Sequence, residues 1–278
     1  MVQIFKCRIL ENNKVRPGYF KMIFTAPQIA RKSRAGQFVH LRCASSIEPL
    51  LRRPFSIYRT DRDKVEILYK VVGRGTAEIA KRKPGEIIDV MGPLGQGFEI
   101  SNGLKSAILV AGGIGVAPLV MLAREIKDTI HHPSFLIHRM RATSNQQPAT
   151  IYVLIGAKTK NDILCEEEFR ETGCEVRVST EDGSKGFNGM VTDLLNSLVA
   201  HCTLHVAPAV YACGPKEMLK KIAEITSKYN IPAQVSLEEN MACGIGACYG
   251  CPVRTKQGYK LVCKDGPVFE TSEIVWEK

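Results

Sequence analysis

Four cysteines crowd the C-terminal end of the sequence: Cys243, Cys248, Cys251 and Cys263, at the spacing C-x4-C-x2-C-x11-C. Thiolates are soft ligands, and four of them complete the tetrahedral sites of two bridged irons. Intervals of four and then two residues are those of plant-type [2Fe–2S] loops. Gly244, Gly246 and Gly250 are interleaved with the thiols. A loop wrapped around a cluster must aim backbone N–H groups at sulfur, and glycine permits the positive φ and close approach this takes. Structural zinc is the competing use of the same donors. Zinc sites ordinarily show two C-x2-C pairs, whereas here there is one such pair and Cys263 stands alone. The other cysteines, Cys7, Cys43, Cys165, Cys174, Cys202 and Cys213, are scattered. All but Cys213 read as packed or surface thiols.

Two glycine turns could serve a dinucleotide. In Ile108–Pro118 a buried-strand run leads into Gly112-Gly113-Ile114-Gly115-Val116-Ala117-Pro118, which opens a helix. The glycines let the backbone approach a pyrophosphate, and the helix start supplies N–H donors. The pattern is G-G-x-G-x-x-P rather than the usual G-x-G-x-x-G, and alone it is weak. A second turn, Cys213-Gly214-Pro215-Lys216-Glu217-Met218, also lies between a strand and a helix, at the sheet edge where such folds bind ligands. Cys213 without these neighbours would read as a thiol packed at a strand end.

Earlier in the chain, Arg53-Pro54-Phe55-Ser56 places a guanidinium and a hydroxyl three apart with an aromatic between them. Arginine pairs bidentately with phosphate; by composition alone, however, Arg53 is a surface residue before an ordinary strand. Tyr69-Lys70-Val71-Val72-Gly73-Arg74-Gly75-Thr76 runs from a strand into a turn whose backbone donors suit an anion.

These residues need a scaffold. From the N-terminus to about Ile100 the pattern is of short β-rich runs broken by Gly, Pro and charged turns: Gly18–Thr25, Gln37–Cys43, Phe55–Tyr58, Val65–Val72 and Ile87–Met91. One helix, Gly75–Lys83, interrupts them. That spacing predicts a closed antiparallel barrel. After Gly103 strands alternate with helices, from Ser106–Ala111 through Lys216–Tyr229, which predicts a parallel sheet with crossovers. His131–Pro148 fits neither pattern and reads as an inserted surface loop. A strand at Ala233–Leu237 then leads into the cysteine-rich tail.

The chain has 278 residues, 45% of them hydrophobic and 24% charged, ample for two domains and a small appendage. Its net charge of +10 suits anionic ligands or an acidic partner surface. The basic residues are dispersed and not interleaved with stacking aromatics, which argues against nucleic acid. The apolar stretch Ala107–Ala123 nears membrane-spanning length, but Gly112, Gly113, Gly115 and Pro118 fit a strand, a turn and a helix instead. Ten cysteines behind an N-terminus without a secretory pattern point to a reducing compartment, the cytoplasm.

In this order the motifs resemble those of the ferredoxin–NADP reductase superfamily. Its flavin signature R-x-[YF]-[ST] is matched by Arg53–Ser56, its G-x-G-T turn by Gly73–Thr76, and its nicotinamide-side patterns by Gly112–Pro118 and Cys213–Met218. The segments Leu50–Ile57, Gly92–Phe98, Ser236–Cys248 and Cys263–Phe269 are similar to the electron-transfer subunits of NAD-dependent class 1B dihydroorotate dehydrogenases. The resemblance implies an FAD-binding barrel over residues 1–101, an NAD-binding α/β domain over 102–231 and a [2Fe–2S] module over 232–278. It implies FAD held by Arg53, Pro54, Phe55, Ser56, Tyr69, Lys70, Val71, Gly75 and Thr76. NAD falls to Gly112, Gly113, Gly115, Pro118, Cys213, Gly214, Pro215 and Met218, with Cys213 beside the nicotinamide as the one catalytic candidate. Lys158 and Lys160 leave NADP open. The resemblance further implies a partner subunit that contains FMN and oxidises dihydroorotate for pyrimidine biosynthesis, two copies of each chain forming a heterotetramer. Electrons would run from that partner through the cluster and FAD to NAD⁺. The alternatives are a related reductase subunit serving ferredoxin, sulfide or hydrogenase chemistry, and a stand-alone flavin reductase with a zinc-stabilised tail.

Overall fold

The computed structural model describes residues 3–44, 48–101, 104–131, 150–201 and 208–276. Beyond His131, the expected inserted loop lies outside the described residues, as does Cys202. Two compact units form: Met1–Gly97 with Leu237–Val268 and Ile274–Lys278, and Phe98–Ser236 with Phe269–Glu273.

The first unit has six strands: β1 (Ile4–Arg16), β2 (Tyr19–Thr25), β3 (Phe38–Leu41), β4 (Arg53–Asp61), β5 (Lys64–Lys70) and β6 (Ile87–Leu94). Burial alternates over part of β1 and β2, while β3 and the middle of β5 are buried throughout. Ile9, Met22, Phe24, Leu41, Ile57 and Ile67 have no exposed surface and fill the interior. The order β1-β2-β5-β4-β3-β6 closes into a barrel. Closure rests on the length of β1, whose Ile4–Arg8 half pairs with β6 while Ile9–Arg16 pairs with β2, a register shift at Ile9/Glu11 turning the strand between them. A closed barrel leaves no edge. Two short helices, α1 (Pro27–Ala30) and α2 (Arg74–Ala80), connect strands.

The second unit has β7 (Ser106–Gly112), β8 (Thr150–Ala157), β9 (Glu175–Thr180), β10 (Phe187–Asn188), β11 (Ala209–Cys213) and β12 (Ala233–Ser236), with helices α3 (Val116–His131), α4 (Glu166–Glu171), α5 (Val191–His201) and α6 (Lys216–Lys228). These strands pair in parallel in the order β10-β9-β8-β7-β11-β12. Ala107–Ala111 of β7 is wholly buried, as a central strand covered on both faces must be. The chain moves outward from β7 to β10 on one side and through β11 to β12 on the other. The switch point is therefore between β7 and β11, where parallel sheets open a crevice beyond their carboxyl ends.

The tail folds a hairpin, β13 (Pro252–Thr255) with β14 (Gly258–Leu261), and ends in β15 (Val268–Glu270), the seventh strand of the sheet beside β12. Sequence patterning did not single out β10, β13, β14 or β15: each is at most four residues long and partly polar, too short for a period to register.

The barrel seam carries a charged triad. Lys6 on β1 and Asp89 on β6 are register partners, with Lys6 Nζ 2.8 Å and Arg52 Nη2 2.6 Å from the carboxylate. Burial pushes the Asp89 pKa up, but the hydrogen bonds from Lys6 and Arg52 outweigh it and leave it below the ordinary 3.8. A depressed folded-state pKa stabilises the fold above the unfolded value, and that contribution is lost as pH falls through the folded one. Denaturation measured from neutral pH down past 3.8 should therefore show a shallower acid loss for Asp89→Asn than for the parent chain.

Candidate functional site

The tail thiols fall into two pairs. Cys243 and Cys248 interact side chain to side chain, as do Cys251 and Cys263. Backbone N–H groups are aimed at three of the sulfurs: Ile245 and Cys248 at Cys243 (3.5 and 3.4 Å), Gly246 at Cys263 (3.1 Å) and Cys263 at Cys251 (3.4 Å). Among the described residues no three His, Cys, Asp or Glu side chains converge on one metal ion. Four thiolates so gathered suit two bridged irons, two thiolates to each. Burial raises the pKa of the Cys243 thiol, but the N–H donors outweigh this and bring it down to about 6. Burial, with Cys251 alongside, pushes Cys263 up to about 12. The donors that lower Cys243 would equally stabilise sulfur carrying negative charge in a cluster. Cys251 and Cys263 are buried, Cys243 is half-buried and Cys248 is exposed. The bare edge is thus the Cys248 side, where Ile245 and Tyr249 are also exposed.

Glycine seats this module on the barrel. Gly244 has φ +71°, and a Cβ there would stand 2.5 Å from His40 Nδ1. A Cβ at Gly95 would stand 2.6 Å from both the Gly266 oxygen and Pro267 Cδ. Gln96 and Pro267 form a parallel bridge at the same place. Sequence reading missed His40, because a lone histidine in a strand carries no motif. Burial and the neighbouring Arg52 push its pKa down to about 4, so the ring is neutral.

The barrel gathers the flavin-type motif around Gly75. A Cβ at Gly75 would lie 2.9 Å from Arg53 Nε and 3.1 Å from Cys43 Sγ, so the glycine lets the G-x-G-T turn meet the guanidinium. Arg53 donates to the Leu51 and Arg52 carbonyls at 2.8 and 3.1 Å, which cancel no charge. Arg52 differs: it is tied to Asp89 and to the His40 carbonyl. Thr76 Oγ1 accepts from the Val72 and Gly73 N–H groups and locks the turn. Pro54 and Ser56 are half-buried on β4, while Phe55 is buried edge-on to Tyr69 at 5.4 Å. Tyr69 donates its hydroxyl to Asn12 at 2.9 Å, so its side chain serves the barrel. Lys70 Nζ sits over the Tyr19 ring, and the Val71 N–H bonds to the Gly18 carbonyl. At these three positions a ligand would meet backbone more than side chain.

The two glycine turns interlock at the switch point. A Cβ at Gly112 would lie 2.7 Å from Met218 Sδ and 2.7 Å from Pro215 Cδ; one at Gly115 would strike the Cys213 carbonyl and come within 2.8 Å of the Gly214 nitrogen. Cys213, 1% exposed, ends β11 directly beside Ala111 of β7. Gly113 has φ +55° and open space where a Cβ would be. Pro118 is buried in the first turn of α3. Lys158 and Lys160 are exposed after β8, their backbone bonded to the Asp182–Ser184 turn, where Asp182 adds a carboxylate. Among the described residues no helix is long and apolar enough to cross a membrane.

Comparison with known proteins agrees with this geometry. Residues 238–275 match the iron–sulfur cluster binding domain of dihydroorotate dehydrogenase B, and residues 109–224 match the oxidoreductase NAD-binding domain. The chain is 38% identical to the dihydroorotate dehydrogenase B (NAD(+)) electron transfer subunit of Desulforamulus reducens, with 100% of both chains covered. It is 37% identical to that of Caldanaerobacter subterraneus subsp. tengcongensis, covering 98% of each. Among solved structures it is similar to a chain of the NADH-dependent reduced ferredoxin–NADP oxidoreductase, with TM-score 0.81 and 30% identity over 97% of this chain and 90% of that one. The ferredoxin NADP⁺ reductase of Neisseria gonorrhoeae shares the fold at TM-score 0.63 and 17% identity, covering 86% and 95%.

The interlock of the turns is directly testable. Gly115→Ala forces the β11 end and the glycine turn apart, an overpacking cost of about 1–3 kcal/mol. We expect a lower melting temperature and, by titration, nicotinamide dinucleotide binding weakened about tenfold or more.

Proposed function

Because the chain belongs to the family of electron transfer subunits of NAD-dependent dihydroorotate dehydrogenase B, we propose that it links a catalytic dihydroorotate-oxidising partner to NAD⁺, with FAD and a [2Fe–2S] cluster as its resident groups. When bound, the cluster exchanges single electrons and the flavin exchanges either single electrons or a hydride, which joins one-electron supply to a two-electron acceptor. The division of labour is a barrel for FAD over residues 1–101, a sheet domain for NAD over 102–231 and a cluster module over 232–278.

Each group has residues suited to it. Cys243 and Cys248 would hold one iron, Cys251 and Cys263 the other, with the N–H donors of Ile245, Gly246 and Cys248 favouring charge on sulfur. Arg53 neutralises pyrophosphate charge, helped by the turn at Gly75-Thr76, while Pro54, Phe55 and Ser56 line the strand beside it and the Tyr69–Val71 backbone borders the turn. Gly112, Gly113, Gly115 and Pro118, with Gly214, Pro215 and Met218, form the dinucleotide crevice. Cys213 closes the floor of that crevice and is the side chain we assign to the nicotinamide. Hydride transfer needs no side-chain acid or base, and none is assigned.

The gathering of four thiols, three of them beneath backbone N–H donors, carries this reading. The exposed edge at Cys248, with Ile245 and Tyr249 beside it, suits contact with the FMN-containing partner, two copies of each chain making a heterotetramer. A cytoplasmic setting, where thiols stay reduced and serve as ligands, suits such a cluster. NAD is favoured over NADP because Asp182 stands at the turn to which Lys158 and Lys160 are bonded. A second reading, a reductase subunit serving ferredoxin, is favoured by the 30% identity to the ferredoxin–NADP oxidoreductase chain.

Co-purification with an FMN-containing partner, followed by assay of dihydroorotate-dependent NAD⁺ reduction, separates the two. Such turnover supports the first reading; reduction of NAD⁺ by ferredoxin alone supports the second. Metal analysis should give about two irons and two acid-labile sulfides per chain, and one zinc in their place would remove both. Cys248→Ser should lose partner-linked NAD⁺ reduction to background while FAD content is retained. Arg53→Ala, which removes a charge-assisted phosphate contact worth about 1.5–3 kcal/mol, should weaken FAD retention by about ten- to a hundredfold, measured by ultrafiltration and flavin fluorescence.

A further inference from the structure

His40 is fully buried, with 0% of its surface exposed. Neither ring nitrogen completes a hydrogen bond, although the Cys243 and Arg52 backbones stand close enough to influence the ring. Its surroundings give the ring a purpose. On β3, His40 is the register partner of Pro54 on β4, in the middle of Arg53-Pro54-Phe55-Ser56. Its carbonyl accepts from Arg52 Nη1, and its ring packs edge-on to Phe38. On the far side the ring meets the cluster loop, where a Cβ at Gly244 would stand 2.5 Å from Nδ1 and 3.1 Å from Cε1. One side chain thus touches the loop between two proposed iron ligands while its backbone is laddered to the proposed flavin strand.

We propose that His40 is a positioning residue that seats the Cys243–Cys248 loop against the strand bearing the flavin motif, and so fixes the surroundings of the cluster. The inference rests on the cluster reading above. It assigns the ring no proton transfer and no contact with iron. An imidazole has two side-chain torsions and a flat face, so it spaces two backbones more rigidly than a longer chain would. Gly244 is required opposite it both for its positive φ and for the absent Cβ. The β3–β6 pair also meets the tail at Gly95 and Pro267, and two seats on neighbouring strands restrict the tilt of the module.

The test uses the full chain, purified anaerobically with its cluster, and compares His40→Ala, His40→Gln, Gly244→Ala and the double variant His40→Ala/Gly244→Ala. The readouts are the electron paramagnetic resonance g-values of the reduced cluster and the rate of iron release to a chelator. His40→Ala should shift the g-values and release iron about threefold faster or more, and His40→Gln should lie nearer the parent chain. Gly244→Ala should release iron faster still, and the double variant should be no worse than Gly244→Ala because the steric conflict is gone. Effects that multiply independently in the double variant, or unchanged g-values and release in His40→Ala, would overturn the proposal. Should His40→Ala fail to fold, His40→Gln and Gly244→Ala carry the test: a parent-like g-tensor in Gly244→Ala would overturn it. A parent chain without iron defeats the cluster reading itself, a result distinct from an iron-bearing parent whose spectrum is indifferent to His40.

Discussion

Backbone approaching a neighbour with no Cβ between them is the constraint on which this molecule is built. Gly244 against His40, Gly95 against Pro267, Gly75 against Arg53, and Gly115 against the Cys213 carbonyl are each spacings at which an added methyl would collide. Each brings a chemically useful group to a position that ordinary packing would not reach. At Gly244 it is a thiol-bearing loop, at Gly75 a guanidinium beside a turn of amide donors, at Gly115 the ends of two parallel strands. Glycine costs conformational entropy on folding. The barrel and sheet offset this with cores dense in fully buried Ile, Val and Leu.

Electrostatics follow the same layout. Where negative charge is to be held, the chain supplies donors: N–H groups on the tail sulfurs, Arg53 without a carboxylate partner in its hydrogen bonds, and an open turn at Gly113. Where charge would only be buried, it is paired, as in the Lys6–Asp89–Arg52 triad at the barrel seam. The adjacent arginines thereby have opposite employment. Arg52 fastens strands and supports His40 through its carbonyl, whereas Arg53 donates only to the Leu51 and Arg52 carbonyls and is the one proposed for a ligand. A net charge of +10 is consistent with anionic groups bound in more than one place.

Much of this was legible in the sequence because spacing along the chain is also spacing in space over short distances. Cys243, Cys248 and Cys251 lie within one loop, so C-x4-C-x2-C alone indicates their chemistry. The R-P-F-S strand and the glycine turns likewise act over a few residues, and alternation with period two against strands alternating with helices distinguished barrel from sheet. The same residues did not disclose which side chains would be spent on packing: Tyr69 reads as part of a flavin strand, yet its hydroxyl belongs to Asn12, 57 positions away. Short polar strands such as β13 and β14 were beneath the reach of periodicity.

What the sequence determined by itself, then, was the local chemistry: four thiols at an iron–sulfur spacing, glycine turns at strand ends, an arginine ahead of an aromatic strand, and the two sheet types that carry them. The tertiary structure decided what depends on contacts between distant segments. It divided the thiols into pairs, interlocked the turns of β7 and β11, distinguished Arg52 from Arg53, and set His40 beneath a loop two hundred residues further along the chain. The reason is physical. Propensity and periodicity are properties of neighbours in sequence, whereas a buried ring's partners, and the absence of a Cβ across from it, exist only once the strands have closed.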